Sequence, residues 1–400
     1  MTETVKTPLS GLKVLEMGTL IAGPFAAKTL ADFGADVIKI EAPTTGDPLR
    51  SWRTAEGTTS VWWHVQARHK KSVAIDLRQQ AGQDLVRQLA VEADVVIENF
   101  RPGTLEKWGL DFETLSKVNS QLIMLRISGY GQTGPKRDLA GFGVVAEAMG
   151  GFRYITGMPG QAPVRPGISI GDSLSALHGV IGILLALYHR AAHGGQGQMI
   201  DVALYESVFN MMEGAVPEYD RLGVIREPAG SAIQGIAPTN AYPCVDGRYA
   251  LIAGNGDGIF KRLMAAIGRA DLAEDPDLAR NPGRVVQMDR IDAAISVWTG
   301  TRTLEEVLQV MGEAGVPAGK AYTVKDIVED DHYQARGMLQ TVQLNDGSAL
   351  KVPGVVPKLS KTPGRAVAGG PDLGQHTEEV LASIGVSPEQ FRLLKEKGII

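Results

Sequence analysis

Residues 12–41 read LKVLEMGTLIAGPFAAKTLADFGADVIKIE. Residues 12–17 form a short apolar run of strand length, and a turn follows at 18–24, rich in glycine and closed by Pro24. Residues 25–33 carry apolar side chains at helical spacing, and 35–41 is a second strand. A strand, a helix and a strand in this order open a parallel α/β sheet. Further strands are expected at 72–77, 95–98 and 122–128, with helices at 82–91 and 112–118 between them. The alternation predicts a Rossmann-like, doubly wound parallel sheet.

The first turn, Gly18-Thr19-Leu20-Ile21-Ala22-Gly23-Pro24, is not a dinucleotide fingerprint. That motif needs glycines one, three and six, so that a pyrophosphate can rest on the helix N-terminus. The spacing here argues against NAD or FAD.

Beyond residue 193 a Gly-rich loop leads to a strand at 199–203, and 206–227 reads as helix and then linker. From 228 to 319 the texture changes to a Gly/Pro/Asn-rich approach, a hairpin around Asp246-Gly247 and helices at 259–267 and 303–314. This predicts a second, smaller α+β domain. A strand pair around Asp346-Gly347, a Pro-rich stretch at 353–371 and helices at 377–384 and 388–397 return to the first domain. The expected division is 1–205 with 335–400 for the large domain and 206–334 for the linkers and small domain.

A chain of 400 residues exceeds one ordinary core, which agrees with two domains. The net charge of −5 argues against nucleic acid and against a polybasic membrane surface. A single cysteine, Cys244, excludes intramolecular disulfides and fits a reducing, cytoplasmic setting. Residues 1–6 hold no apolar signal core, so no export is expected. The longest apolar run, 180–187, is too short to span a bilayer.

Gly171-Asp172 interrupts an apolar stretch and precedes a long apolar helix, expected over 174–192. Its small residues Ala176, Gly179 and Gly182 would let another backbone come close. Asp172 has two readings. It caps the helix, as aspartates do, or it is a carboxylate nucleophile held by the same N–H donors and ionised at neutral pH. Other candidates follow strands, where open parallel sheets bind ligands: the loop Gly129-Tyr130-Gly131, and Asn99-Phe100-Arg101 with Lys107 beyond it. Arg68, His69, Lys70 and Lys71 form a basic run that suits a phosphate-rich ligand, or is simply solvated. The histidines show no metal-ligand spacing, and no Gly-x-Ser-x-Gly elbow occurs. No metal and no permanently bound cofactor is expected.

Taken together, the chain resembles the class III CoA-transferases, which include the formyl-CoA and carnitine CoA-transferases. The resemblance rests on Ala22-Gly23-Pro24, Gly34-Ala35-Asp36-Val37-Ile38-Lys39-Ile40-Glu41, Gly46-Asp47, Lys70-Lys71-Ser72, Glu98-Asn99-Phe100, Gly171-Asp172 and Leu373-Gly374-Gln375-His376-Thr377, in that order. It implies that Asp172 forms an aspartyl anhydride and then an aspartyl-CoA thioester. It implies CoA contacts at Leu20, Ile21, Lys70, Lys71, Ser72, Val73, Asn99, Phe100, Arg101 and Lys107. Two family cations that contact CoA fall here on Ala42 and Ala140. The family fold is an interlocked homodimer.

A related racemase needs a His-Asp pair, and the matching place reads Gly141-Phe142-Gly143. A non-catalytic acyl-CoA-binding protein would not need Asp172. The segments Arg153-Tyr154-Ile155-Thr156-Gly157 and Pro163-Val164-Arg165-Pro166-Gly167 resemble the branch that moves CoA from succinyl-CoA to dicarboxylates such as itaconate, glutarate, malate or citramalate. A distal carboxylate calls for a fixed arginine. The candidates are Arg50, Arg53 and Arg165, unless they make structural ion pairs. Gly235, in a glycine-containing loop of the second domain, is a further substrate-side candidate.

Overall fold

The computed structural model describes residues 7–400. The stretch read as lacking a signal core, residues 1–6, lies outside them. The chain divides into two compact units. The first comprises the residues up to Gly151, Pro166–Met212 and Asp331–Ile400; the second comprises Phe152–Arg165 and Glu213–Asp330. Against the expected boundaries, residues 206–212 and 331–334 stay with the large unit. The segment 152–165 joins the small one.

The large unit is built on six parallel strands, β1 (Lys13–Glu16), β2 (Asp36–Glu41), β3 (Lys70–Ala74), β4 (Val95–Glu98), β5 (Ile123–Ser128) and β6 (Met199–Ala203). Their spatial order is β3-β2-β1-β4-β5-β6. This is the doubly wound Rossmann order, which reverses direction between β1 and β4. Central strands such as Val95–Glu98 and Ile123–Ser128 are buried at every position, as both covered faces of a parallel sheet require. Helices α1 (Ala22–Asp32), α2 (Gln80–Val91), α3 (Gly143–Met149) and α4 (Ile170–His193) belong to this unit.

Helix α4 begins at Ile170, with Ser169 as its N-terminal flanking residue. Asp172 therefore stands inside the first turn and is not the cap. The small residues of α4 meet side chains of the sheet rather than another backbone. A Cβ at Gly179 would lie 2.6 Å from Leu125, and one at Gly182 would lie 2.8 Å from Ile200. Ala176, Val180, Ile183 and Ala186 join the core formed by Val14, Leu125 and Ile127. The helix is, by length and composition, long and apolar enough to cross a membrane, contrary to the expectation from the run 180–187. Glycine, serine and histidine break the run without adding charge, so the apolar character extends over many more residues.

The edge strand β3 is covered by the C-terminal segment. Ala74 N–H donates to Thr377 Oγ1 at 3.0 Å, His376 N–H to the Ser72 carbonyl at 3.0 Å, and Ser72 N–H to His376 Nδ1 at 3.2 Å. The 373–377 segment thus blocks an open edge that would otherwise invite pairing with another chain.

The small unit has an antiparallel three-stranded sheet of Thr239–Pro243, Tyr249–Ala253 and Ala318–Lys320, with the first two joined at Asp246-Gly247. Helices Asp257–Ala266, Met288–Thr299 and Leu304–Glu313 bury Phe260, Leu263, Ile295 and Val307 in its core. Arg284, fully buried, donates to the carbonyls of Ala237 and Asn255 and to Asp257 Oδ1, tying two glycine-containing loops together.

Candidate active site

The first turn is held from below by buried charge. Lys39 Nζ lies 2.9 Å from Glu16 and 2.8 Å from Asp47, and donates to the Gly18 carbonyl at 2.8 Å. Burial opposes that charge, but Asp47, Glu16 and Glu41 together hold the Lys39 ammonium above its ordinary pKa. Asp47 accepts from the N–H of Leu20, which has left-handed backbone (φ +64°). Asn99, just past β4, accepts from Thr19 N–H at 2.8 Å and donates to the Thr19 carbonyl at 2.9 Å. A Cβ at Gly18 would come within 2.9 Å of Asn99 Oδ1, so the close fit of the two loops needs glycine there. The loops after β1 and β4 are clamped together where the strand order reverses.

A cavity of about 420 Å³ opens there. Thr19, Leu20 and Ile21 line it from the β1 loop, and Asn99, Phe100 and Arg101 from the β4 loop. A further wall is the segment from Arg137 to Gly143, and Asp172 enters from the first turn of α4. Gly129 and Gly141 allow that wall to cross the end of β5, since a Cβ at either would lie 2.6 Å from the other's Cα. Gly143 is decisive for the carboxylate. A Cβ at residue 143 would overlap Asp172 Oδ2, so the carboxylate occupies the space that any side chain there would need. The same glycine stands where a racemase would need its acidic partner, and its neighbour Phe142 lines the cavity without a basic nitrogen.

A second, smaller cavity of about 160 Å³ shares Thr19 and Phe100 with the first. Ala42, Ile75, Leu77 and Trp108 give it apolar walls, and Arg78 stands at its border. Arg78 is exposed and hydrogen-bonds Asp76, holding that carboxyl down at about 2. Lys107 is exposed on the short helix Thr104–Trp108, next to the cavity-lining Trp108.

The basic run lies elsewhere. Arg68 is buried and bidentate to Asp32 at 2.7 and 2.6 Å. Lys70 is buried 2.7 Å from Glu16 and donates to the Pro24 carbonyl. Burial pushes its pKa down to about 8, with Glu16 opposing. Ser72 donates to Glu41, and Val73 has no exposure. Lys71 faces a groove at the amino ends of β1 and β2, with Lys13 and Asp36. None of Lys70, Lys71, Ser72 and Val73 lines either cavity described above. All four lie within β3, whereas residues 75–78, which line the smaller cavity, follow the strand.

Of the substrate-side arginines in the large unit, neither Arg50 nor Arg53 lines either cavity. Arg50 is bidentate to Glu41 at 2.8 Å and stacks 3.7 Å over Trp63. Arg53 is exposed, with its guanidinium 4.6 Å over Trp62. Arg165 and Gly235 belong to the small unit; Gly235 has φ +82° and its carbonyl accepts from Asn281 at 2.9 Å. Two residues not singled out from sequence now stand out. Arg137 lines the Asp172 cavity. Glu147 is fully buried one turn along α3 from Gly143, its Cγ 3.4 Å from where a Cβ on Gly171 would lie. Among the described residues no group of three or more His, Cys, Asp or Glu side chains is placed to hold a metal.

Comparison with known proteins agrees in kind. Residues 9–377 match the model of a family described as CoA-transferase family III. The chain is 47% identical over 395 residues to a succinyl-CoA–D-citramalate CoA-transferase of Chloroflexus aurantiacus, covering 98% of each chain. It is 37% identical over 388 residues to a succinate–glutarate CoA-transferase of Agrobacterium fabrum, covering 95% of this chain and 96% of that one. A crystal structure of a CaiB/BaiF family protein from Brucella suis superposes with a TM-score of 0.82 at 36% identity, over 95% of this chain and all of the other.

Proposed function

The chain belongs to CoA-transferase family III, and on that premise we propose that it carries CoA from succinyl-CoA to a dicarboxylic acid through Asp172. The observation that carries the proposal is the seating of the Asp172 carboxylate against Gly143, in the cavity where the strand order reverses. The named activities of the relatives, on D-citramalate and on glutarate, support the acceptor class; malate and itaconate have the same two carboxylates.

Asp172 Oδ attacks the thioester carbonyl, and the CoA thiolate leaves to give a mixed anhydride. The thiolate then attacks the aspartyl carbonyl, which releases succinate and leaves an aspartyl-CoA thioester. The acceptor carboxylate attacks that thioester and expels the thiolate, forming a second anhydride. Attack of the thiolate on the acceptor's acyl carbon yields the new CoA ester and restores Asp172. Each tetrahedral oxyanion calls for fixed N–H donors.

CoA itself is substrate and not a resident cofactor. The pantetheine arm runs past Leu20, Ile21, Asn99 and Phe100, and the nucleotide enters the smaller cavity, with Arg78, Arg101 and Lys107 as its cations. The enzyme is proposed to act as an interlocked homodimer. The exposed stripe Leu177, Ile181, Leu184, Leu185 and Tyr188 on α4 supports a partner chain there.

An acceptor panel tests the substrate class. With succinyl-CoA as donor, C4 and C5 dicarboxylates should discharge the enzyme much faster than formate, carnitine or valerate. Turnover of the monocarboxylates alone would overturn the dicarboxylate reading.

A further inference from the structure

The carboxyl ends of β4 and β5 carry a charge pair inside the sheet. Glu98 and Arg126 are register partners on the two strands, and both side chains are buried. One Glu98 oxygen accepts from Arg126 Nε at 2.7 Å, and the other accepts from the N–H of Phe100 at 2.7 Å. The two Nη atoms of the same guanidinium reach Glu106, at 2.8 and 3.3 Å, on the short helix Thr104–Trp108. Trp108, the last residue of that helix, meets the Phe100 ring edge to face, with 5.3 Å between centroids. Arg126, Glu98, Phe100, Trp108 and Glu106 thus close a ring behind the β4 loop.

Such a ring is a poor way to stabilise a sheet. A buried ion pair gains little over apolar side chains of similar volume, because desolvation offsets most of the attraction. The register partners one pleat back, Val96 and Met124, are apolar and share one core. An apolar pair could not fix a backbone donor and a helix at once. Phe100 lines both cavities and Trp108 lines the smaller one, while Arg126 itself lines neither. We propose that Arg126 is a positioning residue for the CoA part of the substrate. Its forked guanidinium sets Phe100 and Trp108 relative to one another and so fixes the wall that the two cavities share. The inference rests on the reading above, in which CoA occupies these cavities. Lysine would keep the charge but lacks the planar fork that spans both carboxylates.

The test is Arg126→Lys, with Glu98→Gln beside it. In Arg126→Lys the Kd for free CoA by calorimetry and KM for succinyl-CoA should both rise about fivefold to tenfold, the scale of one lost hydrogen bond to a charged group, while kcat is retained. Glu98→Gln keeps an acceptor for Phe100 N–H but loses the charge that faces Arg126, so it should shift both constants in the same direction by less. Because the two residues act through one another, the double variant should lose less than the two single losses combined. Unchanged Kd and KM in either folded variant, even with a lowered melting temperature, would make the ring purely structural and overturn this inference alone. A fall in kcat with Kd and KM unchanged would overturn it too. If Arg126→Lys does not fold, Glu98→Gln, which leaves Arg126 paired with Glu106, decides by the same readouts. A wild type that neither binds CoA nor turns over succinyl-CoA would overturn the underlying reading of the site.

Discussion

The two basic regions of the large unit have opposite fates. Arg68 and Lys70 enter the sheet from the amino end of β3 and are buried against Asp32 and Glu16. Arg78, Arg101 and Arg137 come after strands, at the carboxyl edge, and remain exposed beside the two cavities. Residue type is the same in both. What differs is the side of the sheet. Cations before or within a strand are drawn into the packed layers and must be paired there, because an isolated buried charge is prohibitively costly. Arg78, Arg101 and Arg137, on loops after strands, stay in water, while Arg50, which also follows a strand, is drawn in by Glu41.

The comparison can be broken most severely at the carboxyl edge. Gly143→Ala puts a methyl group where the Asp172 carboxylate lies, so kcat should fall about a hundredfold, in line with a nucleophile displaced by an ångström. Circular dichroism should be unchanged, and undiminished turnover would mean that the carboxylate works from another position. The interior cluster is tested by Lys70→Met, which leaves Glu16 short of a partner. It should cost about 3 kcal/mol in urea unfolding, while KM for succinyl-CoA in the folded fraction stays put. Arg78→Ala should do the reverse, with KM for succinyl-CoA up about fivefold to tenfold and stability little changed. If the two variants exchange these phenotypes, the division between interior and ligand cations is wrong.

The smallest effect concerns the segment over β3. Two imidazoles accept there: His376 Nδ1 from Ser72 N–H, and His69 Nε2 from Val367 N–H at 3.3 Å. An imidazolium has no acceptor nitrogen. Burial lowers both pKa values, against Glu379 at His376 and Asp32 at His69, so the fold favours the neutral rings. The unfolded chain therefore binds more protons than the fold once the pH drops below the ordinary imidazole value of about 6.5. Stability is fully present above that pH and is lost as the pH falls through it toward the lower folded-state values. Thermal melts at pH values of about 7.5 and about 5.5, on either side of the ordinary imidazole pKa, should show the loss. His376→Asn, whose Oδ1 can still accept from Ser72 N–H, should lessen it by about 1 kcal/mol. An identical acid sensitivity in that variant would remove His376 from the explanation.

Much of the sheet was legible in the sequence. Runs such as Val95–Glu98 and Ile123–Ser128 are largely apolar because both of their faces are covered, and residues after them had to lie at the carboxyl edge of the sheet. Asp172 was legible as a lone carboxylate at the head of an apolar helix, though its position inside the first turn was not. The partners of Lys70 and Arg68 were not legible. Glu16 and Asp32 are distant in sequence, and only the stacking of β1, β2 and β3 with α1 brings them close. Charge density therefore drew attention to Lys70 and Lys71, whereas the residues that line the smaller cavity start a few residues later, at Ile75. Helix Met288–Thr299 was missed because Pro282 and Gly283, in the short helix before it, read as a break. Arg137 was missed because nothing local ties its loop to Asp172. The link is the crossing of Gly129 and Gly141, a contact between two turns.

The most direct test of the account is mass spectrometry of the protein incubated with succinyl-CoA, with one portion treated with hydroxylamine. The account predicts a CoA-sized adduct on the peptide containing Asp172, its conversion to a hydroxamate at that residue, and neither product in Asp172→Asn. An adduct on another residue, or acyl exchange that persists in Asp172→Asn without one, would contradict it.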